Sequence, residues 1–299
     1  MKRLARLSWA AVAVAFGEVL LGSWTRINGA GMTCPDYPLC RGRLVPAFDG
    51  GVVWEWAHRL TAVALCILVV IAIVTALHRR NASIPFVRAA AAVVGALFLF
   101  QVFLGAATVR LSNTPVSVVW HWGTAMALIA ALAALAIFAS SGAQQRAAND
   151  RAVATVLAFA AGVAFITMCI GAYVSSSGAG LACVTIPGCA GNVVVFGNGQ
   201  YVQMLHRLAA GASLLAAVAA FAFAWVKHAS GRVRAWTSAG LALVFLQIIL
   251  GLLNVAFRLP LDLREAHAAN AALIFLCFVA ATTLASLEAS PVREPVNAA

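Results

Sequence analysis

Residues 22–34 read GSWTRINGAGMTC, and residues 171–183, which lie 149 positions further along the chain, read GAYVSSSGAGLAC. In each copy a second cysteine follows six positions after the last residue, at Cys40 and Cys189. Two stretches that agree in residue type and in spacing indicate an internal repeat. This repeat decides how the rest of the chain is organised.

The repeat continues beyond the two glycine-rich stretches. Residues 55–60 read EWAHRL and residues 203–208 read QMLHRL, and further on His121 corresponds to His267. The offsets here are 148 and 146 positions, close to the first one. Identities that recur in one order at a nearly constant offset indicate that the chain consists of two similar tandem halves.

The composition is typical of a membrane protein. Of the 299 residues, 63% are hydrophobic and only 10% are charged, and the mean hydropathy is +0.95. A soluble domain is about half apolar and about a quarter charged, so membrane lipid is the expected solvent of this chain. Apolar runs of about 20 residues, the length that crosses a bilayer as a helix, occur at 7–27, 52–77, 87–109, 117–139, 152–175, 201–226, 235–257 and 264–287.

The eight spans divide evenly between the halves 1–145 and 146–299. Because four is an even number, both halves enter the membrane from the same side, and an axis along the membrane normal relates them. We therefore predict an all-α integral membrane protein with eight transmembrane helices. They form two tandem parallel four-helix bundles with pseudo-two-fold symmetry along the membrane normal.

The positive charge is explained by membrane topology. A net charge of +11 would favour nucleic acid as a partner of a soluble protein, but here Lys and Arg concentrate in the short loops on one side of the spans, which is typical of the cytoplasmic side. That side carries Lys2, Arg3, Arg6, Arg79, Arg80, Arg88, Arg146, Arg151, Lys227, Arg232, Arg234 and Arg293. We predict a multi-pass protein of the cell (inner) membrane with both termini in the cytoplasm and no nucleic-acid partner.

Four histidines lie in the even-numbered spans, each about one to two turns below the outer end. They are His58, His121, His206 and His267. Ionisable side chains inside a membrane are costly and usually face the bundle interior. One alone could make an interhelical hydrogen bond, but four at repeat-related positions indicate a shared function.

Two imidazoles on facing helices can ligate a flat metal macrocycle from both sides, and histidine is a usual axial ligand of haem iron. Zinc is the alternative metal, but a structural zinc site takes four nitrogen or sulfur ligands at close range. Each half offers only two histidines at this level, and its cysteines lie outside in a loop. The pattern therefore favours two haem sites near the outer face, one in each half.

The halves differ three residues before the first histidine. Glu55 precedes His58, whereas Gln203 precedes His206, and this spacing puts both side chains on one face of a helix. A carboxylate can exchange protons near a reacting carbon, but an amide cannot. We therefore expect the N-terminal half to be catalytic and the C-terminal half to hold a fixed redox cofactor. The alternative is that Glu55 only orients His58 through a hydrogen bond.

Three more charged residues lie near the histidines. Arg59 and Arg207 directly follow a predicted ligand and could pair with a haem propionate or extend to the membrane interface. Glu18, in the middle of the first span, is a second carboxylate in a membrane segment. It is expected to face the core, and the sequence specifies no role for it.

Two cysteine pairs lie in outer loops, where the compartment is oxidising and cysteines commonly form disulfides. The pairs are Cys34 with Cys40 and Cys183 with Cys189. Each could act as a redox relay by thiol exchange or as a staple that orders the loop over the haem pocket. The structural role is the favoured interpretation.

Taken together, the Glu-x-x-His-Arg motif at 55–59, a histidine on each further even-numbered span and the first-loop cysteine pair resemble the haem A synthase family. The resemblance covers nearly the whole chain. It implies an oxidoreductase that converts the C8 methyl of haem O into the formyl group of haem A, for use in terminal cytochrome oxidases. Two successive hydroxylations would give a gem-diol that loses water.

The same resemblance implies roles for individual residues. It implies that His58 and His121 bind the substrate haem. It implies that His206 and His267 hold a haem b cofactor. Glu55 matches the family's essential carboxylate, and the family's first-loop disulfide maps to Cys34 and Cys40, whereas only some members carry the second pair. Haem O synthase and cytochrome oxidase assembly factors are implied as partners, and a homo-oligomer stays open. The alternative function is a di-haem b-type cytochrome that carries electrons without substrate chemistry.

Overall fold

The computed structural model describes residues 2–82, 86–141, 151–186, 188–189 and 197–288. Within these ranges, eight helices are long and apolar enough to cross a membrane. They are α1 (Lys2–Ile27), α2 (Val52–Leu77), α3 (Val87–Arg110), α4 (Pro115–Ser141), α5 (Arg151–Ser176), α6 (Asn198–Val226), α7 (Gly231–Ala256) and α8 (Leu261–Glu288). The predicted all-α membrane fold is confirmed.

Each of the eight predicted spans corresponds to one helix, but several helices begin earlier than the apolar run does. The largest difference is at α1, which begins at Lys2 instead of residue 7 because its basic first turns belong to the helix although they are not apolar. A short additional helix, Arg79–Ala82, follows α2 and was not predicted. The predicted boundary between the halves, at residues 145 and 146, lies outside the described residues.

The four helices of each half close into a bundle. In the N-terminal half, α1 packs against α2 and α4, and α3 completes the ring by contacting α2 and α4. The C-terminal half repeats this arrangement with α5 against α6 and α8, and with α7 between α6 and α8. Each helix of these bundles pairs its backbone N–H and C=O groups within itself, as the interior of a bilayer requires.

The two bundles meet through α4 and α8, which contact each other, while α4 also contacts α5 and α8 contacts α1. Exchanging α1 with α5 and α4 with α8 leaves this set of contacts unchanged, as a two-fold axis requires. At that axis Arg26 donates from Nη2 to Ser175 Oγ over 2.9 Å, and these two residues are repeat counterparts 149 positions apart. The predicted pseudo-two-fold arrangement of two tandem bundles is therefore confirmed.

The core of the molecule lies along these two central helices. In α4 and α8, 61% of the residues in the most apolar 18-residue stretch are buried. In the peripheral helices α3 and α7 the share is 17%. Alanines such as Ala136 and Ala281 are fully buried, and small residues of this kind let helix backbones approach closely in a membrane. Large apolar side chains on the periphery, such as Leu99 and Leu215, are exposed and face the surroundings of the bundle.

Candidate functional site

The four predicted ligand histidines lie at one end of the two bundles. His58, His121 and His267 are each the seventh residue of their helix, and His206 is the ninth. The loops after α1 and α5, which carry the cysteine pairs, lie at this same end, and we call it the cysteine end. The structure thus brings the histidines of both halves to one level.

Each histidine ring packs against a glycine on the preceding helix. A Cβ atom added to Gly22 would lie 2.7 Å from Cε1 of His58, and one added to Gly171 would lie 2.9 Å from Cε1 of His206. The second pair of each half repeats this contact more loosely, because a Cβ added to Gly105 or Gly251 would lie 3.3 Å from Cε1 of the adjacent histidine, His121 or His267. The four glycines therefore form cradles that seat the four rings.

The spacing of the rings in the C-terminal half fits a bound metal macrocycle. The ring centroids of His206 and His267 are 6.4 Å apart. With a metal–nitrogen bond of about 2 Å on each side and the ring beyond it, two imidazole centroids that flank one metal ion lie about 6 Å apart. The distance between the two rings therefore fits a metal macrocycle bound between them.

The donor set fits a haem better than a zinc ion. In the part of the chain that the structure describes, no three His, Cys, Asp or Glu side chains lie close enough together to hold a metal ion. Two histidines are too few for a structural zinc site. They suffice for a macrocycle, which supplies four nitrogen ligands of its own.

The N-terminal pair has a more polar surrounding than the C-terminal pair. Nδ1 of His58 lies 3.0 Å from Oε1 of Glu18, and Nε2 of His121 lies 3.5 Å from Nε2 of Gln101. In the C-terminal half the counterpart of Gln101, Gln247, instead donates to the backbone carbonyl of His267 over 3.0 Å. The two sites therefore share a frame but differ in the groups around the rings.

Glu55 connects α2 to the first cysteine loop. Its side chain is buried, and Oε2 accepts hydrogen bonds from Thr33 Oγ1 at 3.0 Å and from the backbone N–H of Cys34 at 2.9 Å. Oε1 accepts from Nη2 of Arg59 at 2.7 Å. The carboxylate thus lies between the helix that carries His58 and the loop at the cysteine end.

Gln203 occupies the equivalent place in the C-terminal half. Its side-chain oxygen accepts from the backbone N–H of Cys183, and its amide nitrogen donates to the carbonyl of Gly180 over 2.7 Å. Glu55 and Gln203 therefore perform the same anchoring task with different chemical groups. An amide can thus accept the backbone N–H of the cysteine as the carboxylate does, but among the described residues only the carboxylate also accepts from the following arginine.

The two arginines that follow the first histidines also anchor the loops. Arg59 donates to the carbonyls of Asp36, Leu39 and Cys34. Arg207 donates in the same way to the carbonyls of the second loop, at Thr185, Gly188 and Cys183. Pairing of either arginine with a propionate stays a prediction.

Disulfides close both cysteine loops. Cys34 is bonded to Cys40, and Cys183 is bonded to Cys189. All four residues are buried, with at most 3% of any of them exposed. Thiol exchange needs access to a sulfur atom, so this burial supports the structural role.

An aspartate stabilises the turn inside the first loop. The carboxylate of Asp36 accepts the backbone N–H groups of Gly42 at 2.8 Å and Arg41 at 2.6 Å. Hydrogen bonds to the charged form favour that form. They hold the pKa of Asp36 below its ordinary value, with the bond from Gly42 as the largest cause.

Sequence reasoning left the contact between Glu18 and His58 unrecognised, although a signal for it existed. Glu18 and Thr167 are counterparts at the offset of 149. This is a second place where a carboxylate in the N-terminal half replaces a neutral group in the C-terminal half. The comparison that singled out Glu55 would have found it.

Comparisons with known proteins find relatives that match most of the chain. The family described as cytochrome oxidase assembly protein matches residues 47–279. A protein named heme A synthase from Shouchella clausii is 30% identical over 87% of this chain and 90% of its own length. Proteins of the same name from Shewanella oneidensis and Caulobacter vibrioides are 27% and 25% identical over 87% and 88% of this chain, with 90% of each relative covered.

Proposed function

Because this chain belongs to the family of cytochrome oxidase assembly proteins, we propose that it is a haem A synthase. It oxidises the C8 methyl of haem O to the formyl group of haem A. The names of the relatives support an enzyme of haem A biosynthesis, and the eight apolar helices make it a multi-pass membrane protein. The observation that carries the proposal is the presence of two repeat-related histidine pairs, with Glu55 in the N-terminal half at the position that Gln203 occupies in the C-terminal half.

The two halves divide the work. His58 and His121 bind the substrate haem, and His206 and His267 hold a haem b as the resident cofactor. The spacing of the C-terminal rings supports a bis-histidine site there. A haem b bound at this site would supply one-electron redox chemistry.

Glu55 is the residue that exchanges protons with the reacting group. Conversion of a methyl into a formyl group breaks two C–H bonds, so a proton acceptor beside the substrate is useful. Glu55 lies on the same helix as His58, one turn closer to the cysteine end, and its burial keeps bulk water away from the carboxylate. Thr33 and Arg59 fix its position by hydrogen bonds.

The cysteine loops cover the two sites. Arg59 and Glu55 hold the first loop, and Arg207 and Gln203 hold the second. Because a disulfide closes each loop as well, a bound macrocycle would be shielded from water on the side of the cysteine end. The disulfides are therefore structural in this proposal.

The cysteine end faces the outside of the cell (inner) membrane, and both termini are cytoplasmic. The support is the distribution of basic residues, because Lys2, Arg3, Arg6, Arg151 and Arg232 lie at the opposite end of the bundles, and cytoplasmic loops are enriched in Lys and Arg. The haem sites thus lie near the outer face.

Substitution of Glu55 by glutamine tests the proposal most sharply, because glutamine removes the proton acceptor and keeps an oxygen for the Cys34 N–H, as Gln203 does for Cys183. Cells that supply haem O would express the wild type, Glu55→Gln and the matched control Gln203→Glu, and the extracted pigments would be separated by chromatography. We expect Glu55→Gln to lower haem A formation by about 10²–10⁴-fold, the usual contribution of a general acid or base, whereas Gln203→Glu, which loses only the bond to the Gly180 carbonyl, lowers it much less.

Normal haem A formation by Glu55→Gln would overturn the catalytic role of Glu55. A wild type that binds haem but never converts haem O would instead support the di-haem cytochrome, which has no use for a proton acceptor in one half. If Glu55→Gln and Gln203→Glu both lose activity, the role of Glu55 and Gln203 is to anchor the loops, and Glu55 is not needed for proton exchange.

A further inference from the structure

Glu18 and His58 form a contact that neither the repeat nor the proposed chemistry of Glu55 explains. Oε1 of Glu18 lies 3.0 Å from Nδ1 of His58, and only 12% of the Glu18 side chain is exposed. Oε2 of Glu18 accepts a hydrogen bond from Oγ1 of Thr61, one turn further along α2. The carboxylate is therefore held by Thr61 of α2 and lies beside the ring of a predicted haem ligand.

The position of Glu18 on α1 places it on the same face as the cradle glycine. Glu18 and Gly22 are four residues apart, which aligns them on one side of a helix, and both contact the ring of His58. Gly22 limits where the ring can sit, and Glu18 limits how the ring is rotated. Together they determine where Nε2 points.

The C-terminal half lacks the carboxylate. Its counterpart Thr167 donates to the carbonyl of Val163 at 2.8 Å and lies within hydrogen-bonding distance of the Ser213 hydroxyl, also at 2.8 Å. Among the described residues, a carboxylate contact is found at Nδ1 of His58 but not at the ring of His206. The two halves thus differ in the carboxylate beside this ring.

A carboxylate at Nδ1 has a defined effect on a ligating histidine. It accepts the Nδ1 proton, so the lone pair that binds the metal is on Nε2, and it makes the imidazole a stronger electron donor. We propose that Glu18 is a positioning residue that orients His58 and strengthens it as an axial ligand, so that iron in the N-terminal site has a lower reduction potential than iron in the C-terminal site. This inference rests on the proposed function, which makes His58 a haem ligand.

The first test needs no substitution. The purified protein, loaded with haem in both sites, would be oxidised and studied by electron paramagnetic resonance. We expect two low-spin ferric signals, of which one is shifted in the direction of imidazolate ligation. In a redox titration, the haem that gives the shifted signal should have the lower midpoint potential. Two haems with the same signal and the same potential would overturn the inference.

The second test assigns the difference to Glu18. Glu18→Gln keeps the size of the side chain and removes the charge, and Thr167→Val is the matched change at the repeat counterpart. We expect Glu18→Gln to move the shifted signal and the lower potential toward those of the other haem and to weaken haem retention in the N-terminal site by about 10–100-fold, as loss of a partner of a metal ligand commonly does. The C-terminal haem is an internal control and stays unchanged. Thr167→Val leaves the shifted signal in place.

A third variant separates the two proposals. If His58→Ala removes one signal while Glu18→Gln leaves that signal and its potential unaltered, the role of Glu18 is wrong and the proposed function stands. If His58→Ala retains both signals, His58 is not a ligand, and the proposed division of the halves fails together with the role of Glu18. If Glu18→Gln does not fold, the wild-type spectrum and titration decide alone.

Discussion

Substitution of Gly22 by alanine should disable the N-terminal site while leaving the fold intact. The added Cβ would lie 2.7 Å from Cε1 of His58, whereas carbon atoms in contact prefer about 3.5–4.0 Å. The ring must therefore move by about 1 Å. A displacement of about that size can cost a catalytic site about 10²-fold, so we expect a loss of this order in haem A formation.

The chain provides a matched control and a graded series. Nothing lies within 4 Å of a Cβ added to Gly17, which is on the same helix, so Gly17→Ala should be silent. Gly171→Ala, with a contact of 2.9 Å, should act on the C-terminal haem, and Gly162→Ala, with open space around its Cβ, should not. At Gly105, where the contact is 3.3 Å, a smaller effect is expected.

The assay combines haem content of the purified protein with the ratio of haem A to haem O in the extracted pigments. Each alanine variant would be compared with its control at equal protein yield and equal thermal stability. If Gly22→Ala behaves like Gly17→Ala in both measurements, the reasoning about cradled rings is wrong. The same conclusion follows if Gly22→Ala reduces only the haem of the C-terminal half.

Two further predictions concern the first cysteine loop. Replacing both Cys34 and Cys40 by serine opens a closed loop of seven residues and should lower the free energy of unfolding by about 2 kcal/mol, as measured by thermal unfolding in detergent. Thiol labelling of the native wild type should find both cysteines blocked. Labelling of these cysteines without reductant would contradict the disulfide. Asp36 has a lowered pKa, so its stabilisation of the loop is present above its ordinary pKa and lost as the pH falls through the lowered value. At each pH, cleavage of the loop by pepsin would be compared between the wild type and Asp36→Ala: the variant should be cleaved faster above about pH 4, and the difference should disappear as the pH falls through the lowered pKa.

The membrane fold could be predicted from the sequence because the bilayer imposes a length on each apolar run. The pairing of the halves followed from the repeat, and the structure confirms it in the contact between Arg26 and Ser175. The ends of the helices were less accurate, because charged and polar first turns, as in α1, extend a helix without extending its apolar run. The short helix after α2 carries no periodic pattern that could reveal it.

The site could be predicted only in part. The common level of the histidines followed from their position in the repeat, and the structure places all four at the cysteine end. Spacing along α2 indicates which face carries Glu55 and His58, but it does not reveal that the loop folds back onto Glu55. The contact between Glu18 and His58 depends on how α1 packs beside α2, which no single helix pattern determines. The catalytic role of Glu55 and the assignment of the four ligands stay predictions.

The division of labour between the halves is tested most directly by identifying which pigment each histidine pair holds. His58→Ala and His206→Ala would be purified from cells that supply haem O, and their pigments would be extracted and separated beside those of the wild type. We predict haem B together with haem O or haem A in the wild type, loss of haem O and haem A from His58→Ala, and loss of haem B from His206→Ala. Loss of haem B from both variants, or retention of haem B by His206→Ala, would contradict the account.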